Sequence, residues 1–414
     1  MFPGGPLQTN RQDLVYIIVI AATLLLAAGL TWVNYQFASD PAADDAFAPL
    51  WAGARIVITR QANPYDLEAV EWVLWPTEAP PSRFVYPYYG ILLFLPFGAI
   101  SSYPLAKGLW MTTTMAGLLA IIFGSLSLTL WRPSGKLLAG FVVFSLTGYS
   151  AMRSVYTGNP GMLVGMLTVF GLQSVIRGRS GRAGFLFGLT ILKPTLVGLL
   201  LPYVFLHAVS KRDFRFIRSM LITMLVLISG AFAAYPNWFY QNFAQVVLLF
   251  KETHPASINA VLSSWFPGSR LMLIVAAIFG LWAVVEWWRS FGKDTRWFLW
   301  TSALTLVLTM LIGVPVNTSD YVVLLLPLTL VFTTIDRRWQ DGGSLLVLLI
   351  MVALQGAQWL SYHLLTGFNP STIEPRFMLF PLPVITLGLL YWVRYWALSS
   401  IKLHVERIEA LRNL

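Results

Sequence analysis

Two adjacent carboxylates, Asp44 and Asp45, follow the first apolar stretch of a chain that carries little charge elsewhere. A carboxylate within hydrogen-bond reach of a hydroxyl can take its proton, so such a pair has the makings of a general base. Around it the polar segment from Asp40 to Arg83 runs Asp44-Asp45-Ala-Phe-Ala-Pro-Leu-Trp-Ala-Gly-Ala-Arg55, passes through Asn63-Pro64-Tyr65-Asp66 and opens into Phe84-Val85-Tyr86-Pro87. Two further ionisable residues stand where apolar stretches end, Lys193 ahead of Pro194 and Asp320 ahead of Tyr321. Each has a plain structural reading as well. The acid pair reads as a solvated loop that caps a helix near Trp51, Asn63 to Asp66 as a turn, Lys193 as a lysine snorkelling to headgroups, and Asp320 as the cap of a helix beginning at Tyr321.

The elements that position these residues lie in a membrane. Hydrophobic residues make up 57% of the 414, aromatics 14% and charged residues 11%, more apolar surface than a water-soluble domain can hide. Stretches of roughly 20 apolar residues cross a bilayer as helices, which satisfy their own backbone hydrogen bonds where no water is present. The alternation of a barrel is not seen. The chain has no cysteine, which argues against disulfides, iron–sulfur clusters and thiol nucleophiles. His207, His254, His363 and His404 are scattered without metal-ligand spacing, so neither a metal nor a cofactor is expected. The net charge of +10 sits in short loops, where it orients the chain in the membrane instead of binding nucleic acid.

Hydropathy predicts twelve spans, near 14–35, 106–131, 137–151, 160–177, 183–193, 195–209, 218–236, 268–289, 297–314, 321–336, 343–364 and 377–396. Lys and Arg cluster at 132–136, 177–182, 211–218, 289–296, 337–338 and 402–412. By the positive-inside rule these segments and both termini are cytoplasmic. That scheme requires 84–100, broken by Pro87 and Pro96, not to cross, and 183–209 to be a hairpin with Lys193 and Pro194 at its tip. The expectation is a single integral membrane domain over 1–414 in the cytoplasmic membrane. An extracytoplasmic loop with juxtamembrane helices would occupy 36–105, a second external loop 237–267, and a cytoplasmic amphipathic tail 397–414, with Ile401, Val405, Ile408 and Leu411 near one face. Glu286, three residues before Arg289, reads as a local ion pair at the cytoplasmic rim. Ionisable groups at membrane depth cost roughly 2.5–3.5 kcal/mol, which makes Lys193 and Asp320 functional candidates by default.

Taken in order, Asp44-Asp45, Trp51-Ala52-Gly53-Ala54-Arg55, Asn63-Pro64-Tyr65-Asp66, Tyr86-Pro87-Tyr88, Leu192-Lys193-Pro194 and the run Pro315 to Tyr321 before Leu324 to Pro327 resemble glycosyltransferase family 87. That family is a branch of the GT-C superfamily, membrane enzymes that use polyprenyl-phosphate sugars. The chain departs from the family pattern at Asp320 and Tyr321, where paired histidines are usual, and at Tyr88, where a second proline is usual.

The resemblance implies an all-α polytopic membrane protein of GT-C-like fold with about 12 transmembrane helices, and an inverting transfer of a mannose-like hexose on the extracytoplasmic face. The donor would be a polyprenyl-phosphate-linked sugar and the acceptor a hydroxyl of a lipid or glycan, with membrane lipids as surroundings. Phosphate is a good leaving group, so the need is for a base: Asp44 or Asp45, with Asp45 preferred. Fixed cations would steady the departing phosphate without a metal, Lys193 and Arg83 first, with Arg153 and Lys251 on the same face. Arg55, Tyr86, Glu252, His254, Asn259, Asn317, Asp320 and Tyr321 are the expected substrate contacts. A transporter or flippase of lipid-linked sugars is the alternative; the lack of an internal repeat and the gathering of polar residues on one face weigh against it.

Overall fold

The apolar stretches fold as helices throughout. The computed structural model describes residues 11–39, 45–59, 62–77, 83–252, 265–266, 271–312, 316–339, 342–367 and 381–399. Asp44, His254, Asn259 and all but the first residues of the 397–414 tail lie outside them. In chain order the helices are α1 (Arg11–Ala38), α2 (Ala48–Thr59), α3 (Leu67–Leu74), α4 (Tyr88–Gly98), α5 (Tyr103–Thr129), α6 (Gly135–Thr147), α7 (Tyr149–Tyr156), α8 (Gly161–Ile176) and α9 (Ser180–Leu189). They continue as α10 (Pro194–Val197), α11 (Leu200–Ser210), α12 (Phe214–Ala234), α13 (Trp238–Glu252), α14 (Leu271–Ser290), α15 (Thr295–Leu311), α16 (Leu325–Arg338), α17 (Gly343–Thr366) and α18 (Pro381–Leu398). A 3-10 segment, Thr318–Leu324, leads into α16. No strand occurs among the described residues, and the chain is an all-α polytopic membrane protein.

The twelve crossing helices expected are not confirmed by helix length. Among the described residues six helices are long and apolar enough to cross, or seven if α6 and α7, bent by 45° at Gly148, form one span. Several apolar stretches read as spans fold short instead. The stretch at 160–177 becomes the 16 residues of α8, and 183–209 becomes α9, α10 and α11. At 84–100 the chain forms the 11-residue α4 with Pro96 inside it, which at a rise of about 1.5 Å per residue falls well short of a bilayer.

Hydrogen bonds sort the loops to two ends of the bundle. At one end Gln173 and Arg177 donate to Ser127, Trp131 donates to Asp336, Arg337 donates to the carbonyls of Thr129 and Leu130, and Arg296 donates to that of Ser399. A cavity there is lined by Ile176, Lys211, Asp213, Lys293 and Asp294. The basic clusters within the described residues thus gather at one end.

Helix α9 leaves that end parallel to α12: Ser219 donates to Gly181 O, and Thr223 lies against Gly188 seven residues further along. The chain then turns at Lys193 and Pro194, and α11 returns to the start of α12, where Asp213 N donates to Ala208 O. Lys193 therefore sits at the tip of a hairpin, far from the basic end.

The interior is built from α5, α15 and α16. Every residue of α15 from Phe298 to Leu311 is buried, and its Ser302, Thr305 and Thr309 hydroxyls donate to carbonyls one turn back, so these three buried hydroxyls are satisfied within the helix. Helix α1 is exposed along most of its length, as a lipid-facing helix should be. Glu286 does pair with Arg289 at 3.1 Å, and also binds Arg394 of α18 at 2.8 Å. The local pair is thus half of a clamp between α14 and α18.

Candidate active site

At the end opposite the basic loops two carboxylates are buried on either side of one turn. Asp45 caps α2: its Oδ1 accepts from Phe47 N and Ala48 N, both at 3.0 Å. Its Oδ2 accepts from the Tyr103 hydroxyl and from Lys107 Nζ, each at 2.6 Å. Tyr103 and Lys107 are four residues apart on α5 and so share a face of that helix. Both partners in the Asp45–Lys107 pair are fully enclosed. An ammonium buried this far loses several kcal/mol of hydration, which the carboxylate standing against it offsets. Phe47 fills the corner beside them, packing on Phe94, Phe97, Tyr103 and Trp110.

The second carboxylate, Asp320, belongs to the 3-10 segment and is equally buried. Lys193 Nζ lies 2.5 Å from its Oδ1, Asn159 Nδ2 donates to the same oxygen at 2.8 Å, and Asn317 N donates to Oδ2 at 2.9 Å. Lys193 also donates to Asn159 Oδ1 at 2.9 Å. The lysine keeps 12% of its side chain exposed, whereas Asp320 keeps 1%. A Cβ on Gly161 would stand 2.7 Å from Asp320 Oδ1, so the close seating of the carboxylate needs glycine there.

The turn at Thr157, Gly158 and Asn159 joins the two clusters. Thr157 O accepts from Ala46 N and Phe47 N, Gly158 takes a left-handed φ of 64° with its carbonyl on Trp110 Nε1, and Asn159 reaches Asp320. Tyr86 feels both acids. Burial first, and then the negative charges of Asp320 and Asp45, push its phenol well above the usual tyrosine range.

Helix α13 lies over the polar segment from the side. Gln241 accepts from Asn63 at 2.5 Å, Asn242 donates to Val85 O at 2.9 Å, and Gln245 donates to Tyr65 O at 3.2 Å. The Tyr65 hydroxyl in turn donates to Tyr86 O at 3.1 Å. Helix α13 is thus packed on the polar segment through Gln241, Asn242 and Gln245.

The family model for glycosyltransferase family 87 matches residues 84–315, more than half of the chain. The chain belongs to glycosyltransferase family 87. No curated protein and no solved structure matches it. The matched stretch of this family 87 chain includes Tyr86, Asn159 and Lys193; Asp45 lies before it and Asp320 after it.

Of the expected site residues, Lys193, Asp320, Asn317 and Tyr86 come together with Asp45 nearby. Other residues of the polar segments are placed as follows. Arg55 donates to Gly98 O and Ser101 Oγ and lies over Trp51, which fastens α2 to the end of α4, and Asp66 caps α3 through Glu68 N. Tyr321 is buried in the 3-10 segment, Arg83 is partly buried at the start of the 83–87 segment, and Glu252 ends α13. Three residues were missed from sequence: Tyr103, Lys107 and Asn159. Lys107 had a signal, since it is a lysine just inside an apolar stretch, one helical turn from a tyrosine. Asn159 had a weaker one, the turn-forming run Gly158-Asn159-Pro160-Gly161.

Proposed function

We propose that this glycosyltransferase moves a mannose-like hexose from a polyprenyl phosphate to a hydroxyl of a lipid or glycan, with inversion, at the end of the bundle that holds Lys193, Asp320 and Asp45, on the extracytoplasmic face. What carries the reading is Lys193: a part-exposed ammonium at a hairpin tip beside buried carboxylates suits a phosphate arriving from the lipid. The acceptor oxygen attacks the anomeric carbon, its proton passes to a carboxylate, and the bond to phosphate breaks with its electron pair on the phosphate oxygen. Lys193, with Arg83 as second cation, offsets the charge that grows there. Carboxylates nearby favour the oxocarbenium character of the sugar as that bond opens.

Purified protein in liposomes, given a radiolabelled polyprenyl-phosphate mannose and a polyprenyl or glycan acceptor, is expected to transfer sugar to the acceptor. Movement of the intact donor between leaflets with no new glycosidic bond would favour the transporter. Lys193→Ala is expected to raise the donor KM and lower kcat about 10²-fold together, since a charge-assisted contact that strengthens as the bond breaks is lost from both states. A donor dependence identical to the parent would leave Lys193 as a tie to Asp320 alone.

A further inference from the structure

We propose that the cavity at the basic end of the bundle binds the phosphate of an anionic phospholipid, at a site independent of the proposed transfer. The cavity lies between α8, α11, α12 and α15, at the end away from Lys193, and has a volume of about 320 Å³, within the range of roughly 300–1,000 Å³ usual for small-ligand sites. Lys211 and Lys293 line it and are exposed. Neither forms an ion pair among the described residues, although Asp213 and Asp294 line the same space.

The two carboxylates are engaged elsewhere. Asp213 caps α12 by accepting from Phe216 N at 3.1 Å. Asp294 caps α15 by accepting from Trp297 N at 3.3 Å and pairs with Arg296 at 3.3 Å. Each is thus tied to the first turn of its own helix, which leaves both ammonium groups for an outside anion. The helices themselves turn their N-terminal, positive ends to the cavity, and that field favours an anion there. An independent group points the same way. His207, one turn before Lys211 on α11, lines the cavity at 8% exposure, and its Nδ1 has no hydrogen-bond partner. Buried polar atoms are ordinarily paired, and a polar headgroup in the cavity supplies the missing partner.

The surroundings select a lipid over a dissolved anion. Val204, Phe216 and Phe298 give the cavity an apolar wall. Helix α12, which starts there, is one of the helices long and apolar enough to cross a membrane. On it Phe214, Leu221 and Leu225 are exposed, and their spacing of seven and four places them in one stripe along the helix. That stripe is a track for an acyl chain whose phosphate rests on Lys211 and Lys293. Basic pockets between helices at a membrane surface hold anionic headgroups in this way, by charge at the surface and by apolar contact below it.

Titration of the purified full-length protein in neutral detergent with phosphatidylglycerol, and in parallel with phosphatidylcholine, tests the site, with bound lipid counted by native mass spectrometry. The parent is expected to hold phosphatidylglycerol about ten-fold more tightly than phosphatidylcholine, the worth of a charge-assisted contact. Lys211→Gln combined with Lys293→Gln should lose that preference. Arg132→Gln combined with Lys136→Gln removes two exposed charges from the same end but outside the cavity, and should keep it. All four side chains are exposed, so the core is untouched in either variant. A parent-like preference in the Lys211 and Lys293 variant, or an equal loss in the other, would overturn the proposal. Glycerol phosphate and inorganic phosphate form the soluble arm, and neither should displace the lipid at equal concentration. Displacement by either would assign the cavity to a dissolved phosphate and overturn the lipid.

Discussion

Lys107→Met should unfold the protein more readily than any surface change, costing about 3–5 kcal/mol, because it leaves the Asp45 carboxylate charged and enclosed with no counter-ion. Methionine is close to lysine in length and fills the same space, so the loss would come from charge and not from a cavity. Chemical denaturation in mixed micelles would measure it. Lys107→Met combined with Asp45→Leu should recover much of the deficit, since two apolar groups replace the pair. Parent-like stability of Lys107→Met alone would mean that the pair does not hold the α2 corner.

Gly158→Ala is expected to be the next most damaging change, at about 2–5 kcal/mol from a left-handed backbone added to overpacking. The new methyl would stand 2.6 Å from Phe47 Cβ and 3.1 Å from the Trp110 ring, where the aromatic packing leaves nowhere to yield. Gly178 is the control: its φ is 68° but nothing lies within 4 Å of a Cβ there, so Gly178→Ala incurs only the backbone term of about 1–2 kcal/mol. Equal losses at the two sites would show that Phe47 moves freely. Because the Gly158 turn carries Thr157 on one side and Asn159 on the other, its distortion should also lower transfer by disturbing both carboxylates.

The class of the molecule was legible because it depends on composition alone. So was the family, which rests on short motifs in order, and Lys193 and Asp320 stood out as charges where a membrane protein can least afford them. The lengths of the helices were not legible. Hydropathy records how apolar a stretch is and not where a helix ends, so α8, α9 and α11 read as spans although they have only 16, 10 and 11 residues. The partners of Asp45 were hidden for another reason. Lys107 lies 62 residues further along the chain, and only the folding of α4 back onto α2, with Gly98 against Ala54, brings α5 to that corner. Asn159 likewise meets Asp320 across 161 residues, a separation that no local pattern reports.

The shortness of α8 has a consequence for the proposed transfer. Its 16 residues rise about 24 Å, against a hydrocarbon core of about 30 Å. Were its basic end set at one membrane surface, a helix of that length would leave Asn159 and the two acids beside it several ångströms short of the other. The transfer proposed above would then take place beneath the headgroups. A phosphate already tethered to a long isoprenoid would need only to slip down a few ångströms with its tail still in the bilayer, whereas a water-borne sugar nucleotide would have to shed its hydration to enter. In the proposed reaction that depth would itself select donors that live in the membrane.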